Sequence, residues 1–135
     1  MILALDTTTP QAGVALYEKG AVLAVRRARV TTHSEDLLRL VDEVLQTAGV
    51  KLDQVEALAC AAGPGSFTGL RIVMATVKGL CFALGKPLIT VSSLQAMALR
   101  APPGTIAAAC LESDRWWVLA GSGACPRTPA AMSLV

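Results

Sequence analysis

Apolar blocks separated by short polar breaks set the element order of this 135-residue chain. Met1 to Leu5 is an apolar run closed by Asp6 and reads as a central strand. Asp6-Thr7-Thr8-Thr9-Pro10 follows as a polar turn whose side-chain oxygens can bond nearby N–H groups. Gly13 to Tyr17 and Ala21 to Val30 read as two more strands, joined by a hairpin turn at Glu18-Lys19-Gly20, so the chain opens as an antiparallel meander. Arg26, Arg27 and Arg29 crowd the third strand, where charge blunts an exposed sheet edge; this is preferred to an RNA contact. A helix then runs from Thr32 to Ala48. Leu37, Leu38, Val41, Val44, Leu45 and Ala48 recur at steps of three and four, with Arg39, Asp42, Glu43 and Gln46 between them. Thr32 and Glu35 have capping-box spacing, and Gly49 is placed to end the helix.

After a connection at Lys51 to Gln54, Val55 to Ala61 reads as a buried strand, although an alanine-rich run is a weak strand former. The stretch Gly63-Pro64-Gly65-Ser66-Phe67-Thr68-Gly69-Leu70-Arg71 joins it to a long helix, Phe67 to Leu84. Gly63 and Gly65 allow positive φ on either side of Pro64, Ser66 can cap the helix, and Gly69 lets another backbone come close. Gly85-Lys86-Pro87 stops the helix. Leu88 to Val91 is the next strand, parallel to the one before the turn because a helix crosses between them. Ser92 and Ser93 cap a short helix through Leu99, and Pro102-Pro103-Gly104 ends it. Thr105 to Leu111 and Trp116 to Ala120 look like two strands, followed from Gly121 by a loose tail.

The glycine-rich joint invites a phosphate reading, because free N–H groups at a helix N-terminus attract anions. A P-loop would end in Gly-Lys-Ser/Thr, but Gly69 is followed by Leu70 and Arg71. A dinucleotide fingerprint from Gly63 would need glycine where Thr68 stands, and a nucleophile elbow would need glycines at Pro64 and Thr68. The joint therefore reads as a packing turn in preference to a small-anion site. The residues an anion would use are Asp6, Thr7, Thr8, Gly65 and Ser66.

Composition narrows the function classes. Twelve basic and ten acidic residues leave a net charge of +2, with no clustered basic footprint for standalone nucleic-acid binding. The residues are 53% apolar and 16% charged, which points to apolar surface covered by another chain. No apolar run approaches the ~20 residues a bilayer demands. Asp6 interrupts the first apolar run with no basic residue before it, so no signal peptide is read, and a cytoplasmic location is expected. Cys60, Cys81, Cys110 and Cys125 form no C-x-x-C pair and read as free thiols. His33 is the one histidine, so no metal site is expected. The long helix carries a small-residue stripe of Ala75, Gly79 and Ala83 beside a bulky face of Leu70, Val73, Val77, Leu80 and Leu84. A helix apolar nearly all round must be covered on more than one side, which makes a partner protein a physical expectation.

Three antiparallel strands, a helix, a strand, a helix and a strand describe half of a ribonuclease H-like α/β domain, a mixed sheet with helices. The order also fits the sugar kinase, Hsp70 and actin superfamily. Residues 1–100 form that half; residues 101–135 read as an abbreviated second half of two strands and a tail. Ile2-Leu3-Ala4-Leu5-Asp6-Thr7-Thr8-Thr9, His33-Ser34-Glu35-Asp36-Leu37-Leu38 and Gly63-Pro64-Gly65-Ser66-Phe67-Thr68-Gly69-Leu70-Arg71-Ile72, in that order, closely resemble the bacterial TsaB (YeaZ) family. The resemblance covers about residues 1 to 100. It implies a partner subunit in making threonylcarbamoyladenosine beside the anticodon of certain transfer RNAs. It implies a fold of two related halves, pairing with the catalytic paralogue TsaD and the small ATPase TsaE, and contact with tRNA only through that complex. Members are described as inactive glycoproteases. The paralogue's His-x-x-x-His metal pair would place its second histidine where this chain has Leu37. In place of the family's Asp-Ala-Arg and Glu-Val-Tyr-like strand stands Leu111-Glu112-Ser113-Asp114-Arg115-Trp116-Trp117-Val118, which speaks against a nucleotide cleft between two full halves.

The leading expectation is a non-catalytic scaffold, with Leu38, Val41, Leu45, Val73, Val77 and Leu80 on the partner face and a homodimer when the chain is alone. No catalytic residue, cofactor or membrane contact is expected. The rival is an enzyme. One form is an ATP-binding phosphotransferase, with weak ATP binding at Asp6 and Thr7–Thr9; the other is a glycoprotease-like peptidase, for which no metal pair or nucleophile–base couple is visible.

Overall fold

The computed structural model describes residues 1–29 and 34–99, and beyond them the dipeptides 106–107, 110–111, 118–119, 123–124 and 133–134. Strand β1 (Ile2–Asp6) pairs antiparallel with β2 (Gln11–Glu18), which pairs antiparallel with β3 (Ala21–Arg29). The β2–β3 turn is two residues, Lys19 and Gly20, with φ of 47° and 88°. Positive φ at both places is what lets a tight turn match the twist of its strands, and glycine supplies the second without cost. The register shifts between Leu16 and Tyr17, a bulge in this hairpin.

Helix α1 (Ser34–Ala48) leads through a 3-10 turn, Leu52–Gln54, to β4 (Ala57–Gly63). Helix α2 (Phe67–Leu84) then crosses to β5 (Leu88–Ser92), and α3 (Ser93–Ala98) follows. Both β1–β4 and β4–β5 are parallel, as the helical crossover requires. Gly85 closes α2 in the left-handed conformation at φ 64°, the stop expected of it. The Thr32–Glu35 cap and His33 lie outside the described residues, as does half of the two strands expected at 105–111 and 116–120.

Within a six-stranded sheet these five strands stand in the order β3-β2-β1-β4-β5, the mixed arrangement expected of a ribonuclease H-like half. Beyond residue 100 the ladders differ from expectation. Two described pieces fall within the strand expected over 105–111. Of these β6 (Ile106–Ala107) pairs with β9 (Gly123–Ala124), and β7 (Cys110–Leu111) with β8 (Val118–Leu119). In the expected loose tail, β10 (Ser133–Leu134) pairs antiparallel with Thr90 and Ile89 of β5.

One face of the sheet packs on α1 and α2. Leu3, Leu5, Val14, Leu16, Leu58 and Cys60 meet Leu37, Leu40, Val41, Val44, Leu45, Val73 and Val77 in a single core. The opposite face holds a smaller cluster of Ala57, Ala59 and Ile89, with Ile2, Ala4 and Val91 beside it. Burial raises the thiol pKa of Cys60 above its ordinary value, and that of Cys81 likewise. Strand β3 is the outer strand of its side, and Arg26, Arg27 and Arg29 on it are exposed, as the edge reading requires.

The core overturns one expectation about faces. Val73 and Val77 are 0% exposed, and Val41 and Leu45 are buried with them. These four cannot face a partner, because the chain's own sheet already covers them. Leu80 is half-buried against the same core, and Leu38 alone of the six is exposed. A second expectation also changes. Counted between its charges, α2 is a set of short apolar runs. As one 18-residue helix of mean hydropathy 1.5, it is long and apolar enough to cross a membrane by length and composition. Here it is a layer of the fold, with Gly69, Val73 and Val77 packed inward.

Candidate functional site

Two features stand out. The first is the junction between Asp6-Thr7-Thr8 and the glycine-rich turn. Thr7 and Thr8 are buried. The Thr7 hydroxyl donates to the Gly69 carbonyl at 2.6 Å, and the Ser66 N–H donates to the Thr8 carbonyl at 2.9 Å. The Thr8 N–H donates to Asp6 Oδ1 at 2.9 Å. Ser66 caps α2, its Oγ accepting from the Gly69 N–H at 3.3 Å. The glycines make this approach possible. A Cβ on Gly69 would stand 1.8 Å from the Thr7 carbonyl oxygen, and one on Gly65 would stand 2.5 Å from Thr8 Cβ. Gly63 takes positive φ (94°) and precedes a cis Pro64, whereas Gly65 is there for space and not for φ.

The structure thus brings together the residues singled out for an anion: Asp6, Thr7, Thr8, Gly65 and Ser66. The bonds run from Thr7 and Thr8 to Ser66 and Gly69, with Asp6 held through Oδ1 alone, so the joint is a clamp between the end of β1 and the start of α2. Among the described residues no group of three or more His, Cys, Asp and Glu side chains could hold a metal ion.

The second feature is the outward face of α2. Phe82 is 92% exposed and Phe67 is 73% exposed, each on the helix side away from Val73 and Val77. Ala75 and Gly79 lie exposed between them. Among the described residues no atom outside the helix's own backbone lies within 4 Å of where a Gly79 Cβ would stand, so none of them requires glycine there. Mid-helix glycine costs about 1 kcal/mol relative to alanine. Arg71 sits over the Phe67 ring at 5.6 Å, and a groove of about 430 Å³ runs beside them past Thr68, Ala75 and Thr76. Helix α2 carries Arg71 and Lys78 and no acidic residue, whereas exposed Asp42 and half-buried Asp36 and Glu43 lie on α1. Sequence reasoning missed Phe67 and Phe82 as the outer anchors. The signal was present, since Phe82 stands about half a turn from the Val73–Val77 stripe and Phe67 about a quarter to a third of a turn, but uniform apolarity concealed which stripe was inside.

A family model for "TsaD: tRNA N6-adenosine threonylcarbamoyltransferase" matches residues 27–110. A solved structure of YeaZ from Pseudomonas aeruginosa superposes with a TM-score of 0.78 at 34% identity, covering 96% of this chain and 69% of that one. The chain belongs to the TsaB/YeaZ family. A second solved structure, an uncharacterized protein with similarity to YeaZ from P. aeruginosa, matches at a TM-score of 0.82 and 35% identity over 99% of this chain and 62% of its own. TsaB of Haemophilus influenzae is 42% identical over 97 residues, which is 72% of this chain and 41% of that protein. This TsaB-family chain therefore spans about two-fifths of the curated relatives it matches. Both faces of α2 lie within the residues that the family model matches.

Proposed function

We propose that this chain is a non-catalytic partner subunit in the threonylcarbamoyladenosine modification of tRNA. It holds a TsaD-type catalytic paralogue through the outer face of α2 and the neighbouring exposed residues of α1, Leu38 among them. A TsaE-type ATPase and the tRNA join through that complex, and the chain pairs with a second copy when alone. This reading puts it in the cytoplasm, with no membrane contact and no cofactor of its own.

The observation that carries the reading is the pair of bare phenylalanines on α2, with an Ala75–Gly79 notch between them. Covering one such side chain is worth about 1.5–3 kcal/mol, and a notch without large side chains lets a second helix approach closely. The partner face thus moves from Val73 and Val77 to Phe67, Ala75, Gly79 and Phe82. Glu43 is taken by Arg39 of its own helix, but Arg71 and Lys78 of α2 would meet Asp42 of α1 across a two-fold axis, which suits a self-complementary pair.

Sedimentation tests this directly. The wild type is expected to sediment as a dimer at tens of micromolar, and Phe82→Glu as a monomer with an unchanged circular dichroism spectrum. The same variant is expected to lose co-purification with a TsaD-type paralogue. A wild type that stays monomeric and fails to retain the paralogue would overturn the reading. Clear binding of Mg-ATP by titration calorimetry would favour the phosphotransferase alternative instead.

A further inference from the structure

We infer that the cleft on the second face of the sheet binds a small zwitterion with an apolar body, of the free amino-acid type. The cleft encloses about 430 Å³, within the range of small-molecule sites. Its floor is Ala4, Ala15 and Ala59, three adjacent small residues on neighbouring strands that give it depth. Val25, Val91 and Met97 wall it.

The ends of the cleft carry the specificity. Asp6 pairs with Gly13, and Gly13 with Arg27, so the three form one row across β1, β2 and β3 on the same face. Gly13 leaves the middle of the row empty. Arg27 leans over that gap, its Cγ 3.9 Å from where a Gly13 Cβ would stand. Among the described residues Arg27 joins no ion pair, and Asp6 is engaged only through Oδ1, with the Thr8 N–H. An acidic and a basic side chain therefore line the same cleft from strands two spacings apart, roughly 10 Å between backbones. Ser93 also lines the cleft. It is 6% exposed, and among the described residues its hydroxyl has no hydrogen-bond partner. A buried hydroxyl without a partner is uncommon in a finished interior.

The charges select the ligand class. A simple anion would meet the repulsion of Asp6, and a metal cation would find one carboxylate and a guanidinium. A neutral apolar molecule would desolvate both charges and pair neither. A zwitterion answers both: its carboxylate takes the Arg27 fork, its ammonium takes the free side of Asp6, and its side chain lies on the alanine floor. This site does not depend on the partner reading, since it lies on the sheet face away from α2.

The test is an NMR titration of the full chain with L-leucine and L-phenylalanine, following the amides of residues 13–15, 25–27 and 59–61. L-leucinamide, which lacks the carboxylate, and N-acetyl-L-leucine, which lacks the ammonium, are the controls. Saturable shifts are expected for both amino acids, with at least tenfold weaker binding of each control. Arg27→Gln is expected to weaken leucine at least tenfold while leaving leucinamide unchanged, and Asp6→Asn to do the same for leucine against N-acetyl-leucine. Both substitutions keep the strand surface, and the side-chain amide introduced by Asp6→Asn retains an oxygen to accept from the Thr8 N–H. Absence of saturable shifts, or equal binding of leucine and leucinamide, overturns the inference. Sedimentation of the same samples reports the partner reading separately.

Discussion

Gly69 and Gly79 stand on the same helix and are glycine for opposite reasons. At 69 a side chain would collide with the Thr7 backbone; at 79 it would meet nothing among the described residues. Gly69→Ala is therefore expected to destabilise the fold by roughly 3 kcal/mol, because backbone, unlike a flexible side-chain tip, cannot give way cheaply. Gly79→Ala is expected to raise monomer stability by about 1 kcal/mol through helix propensity while weakening self-association. Urea midpoints and sedimentation on the two variants separate these effects. A Gly79→Ala protein that associated as tightly as wild type would remove the close-approach argument.

At the scale of elements, the contrast is between two apolar residues on α2. Val77 is wholly inside and Phe82 almost wholly outside. Val77→Glu would bury an unpaired charge, at a cost of about 3–5 kcal/mol or more. That is comparable to the whole stability of a small domain, of order 5–15 kcal/mol. It is expected to give unfolded or insoluble protein, where Phe82→Glu gives folded monomer; loss of the near-ultraviolet signal is the measurement. This contrast also shows what could be read in advance. Strands, crossover, caps and the glycine joint were legible because each leaves a local mark: an apolar run, a capping serine, a glycine where φ turns positive. The inward stripe of α2 was not legible. Periodicity identifies a buried face only when the other face is polar, and here valines point in while phenylalanines point out. On α1 the polar residues did mark the buried stripe, but Val41 and Leu45 were given to a partner when the chain's own sheet uses them. Arg27 was legible as an edge charge, yet its lean across Gly13 required the strand register, and Ser93 showed only its place at the start of a helix.

For the whole molecule, the sheet order sets a gradient of protection. Strands β1 and β4 have ladder partners on both sides, while β3 is paired on one. The amides of Leu3 to Leu5 and Leu58 to Cys60 are expected to exchange slowest, near the global unfolding limit, and those of β3 fastest among the strands. Hydrogen exchange followed by mass spectrometry of peptic fragments checks this. Equal protection across all five strands would mean that β3 is covered in solution.

The Thr7–Gly69 clamp has a mechanical consequence. It fastens the first turn of α2 to the end of β1, so the helix is a spoke pinned at its hub rather than a rod laid on a plate. Its far end, where Phe82 stands, swings through the widest arc for any tilt at the pin. A disturbance beside Asp6 too slight to melt the domain would thus be felt first as misaim at the rim, and so as faulty assembly before any loss of fold.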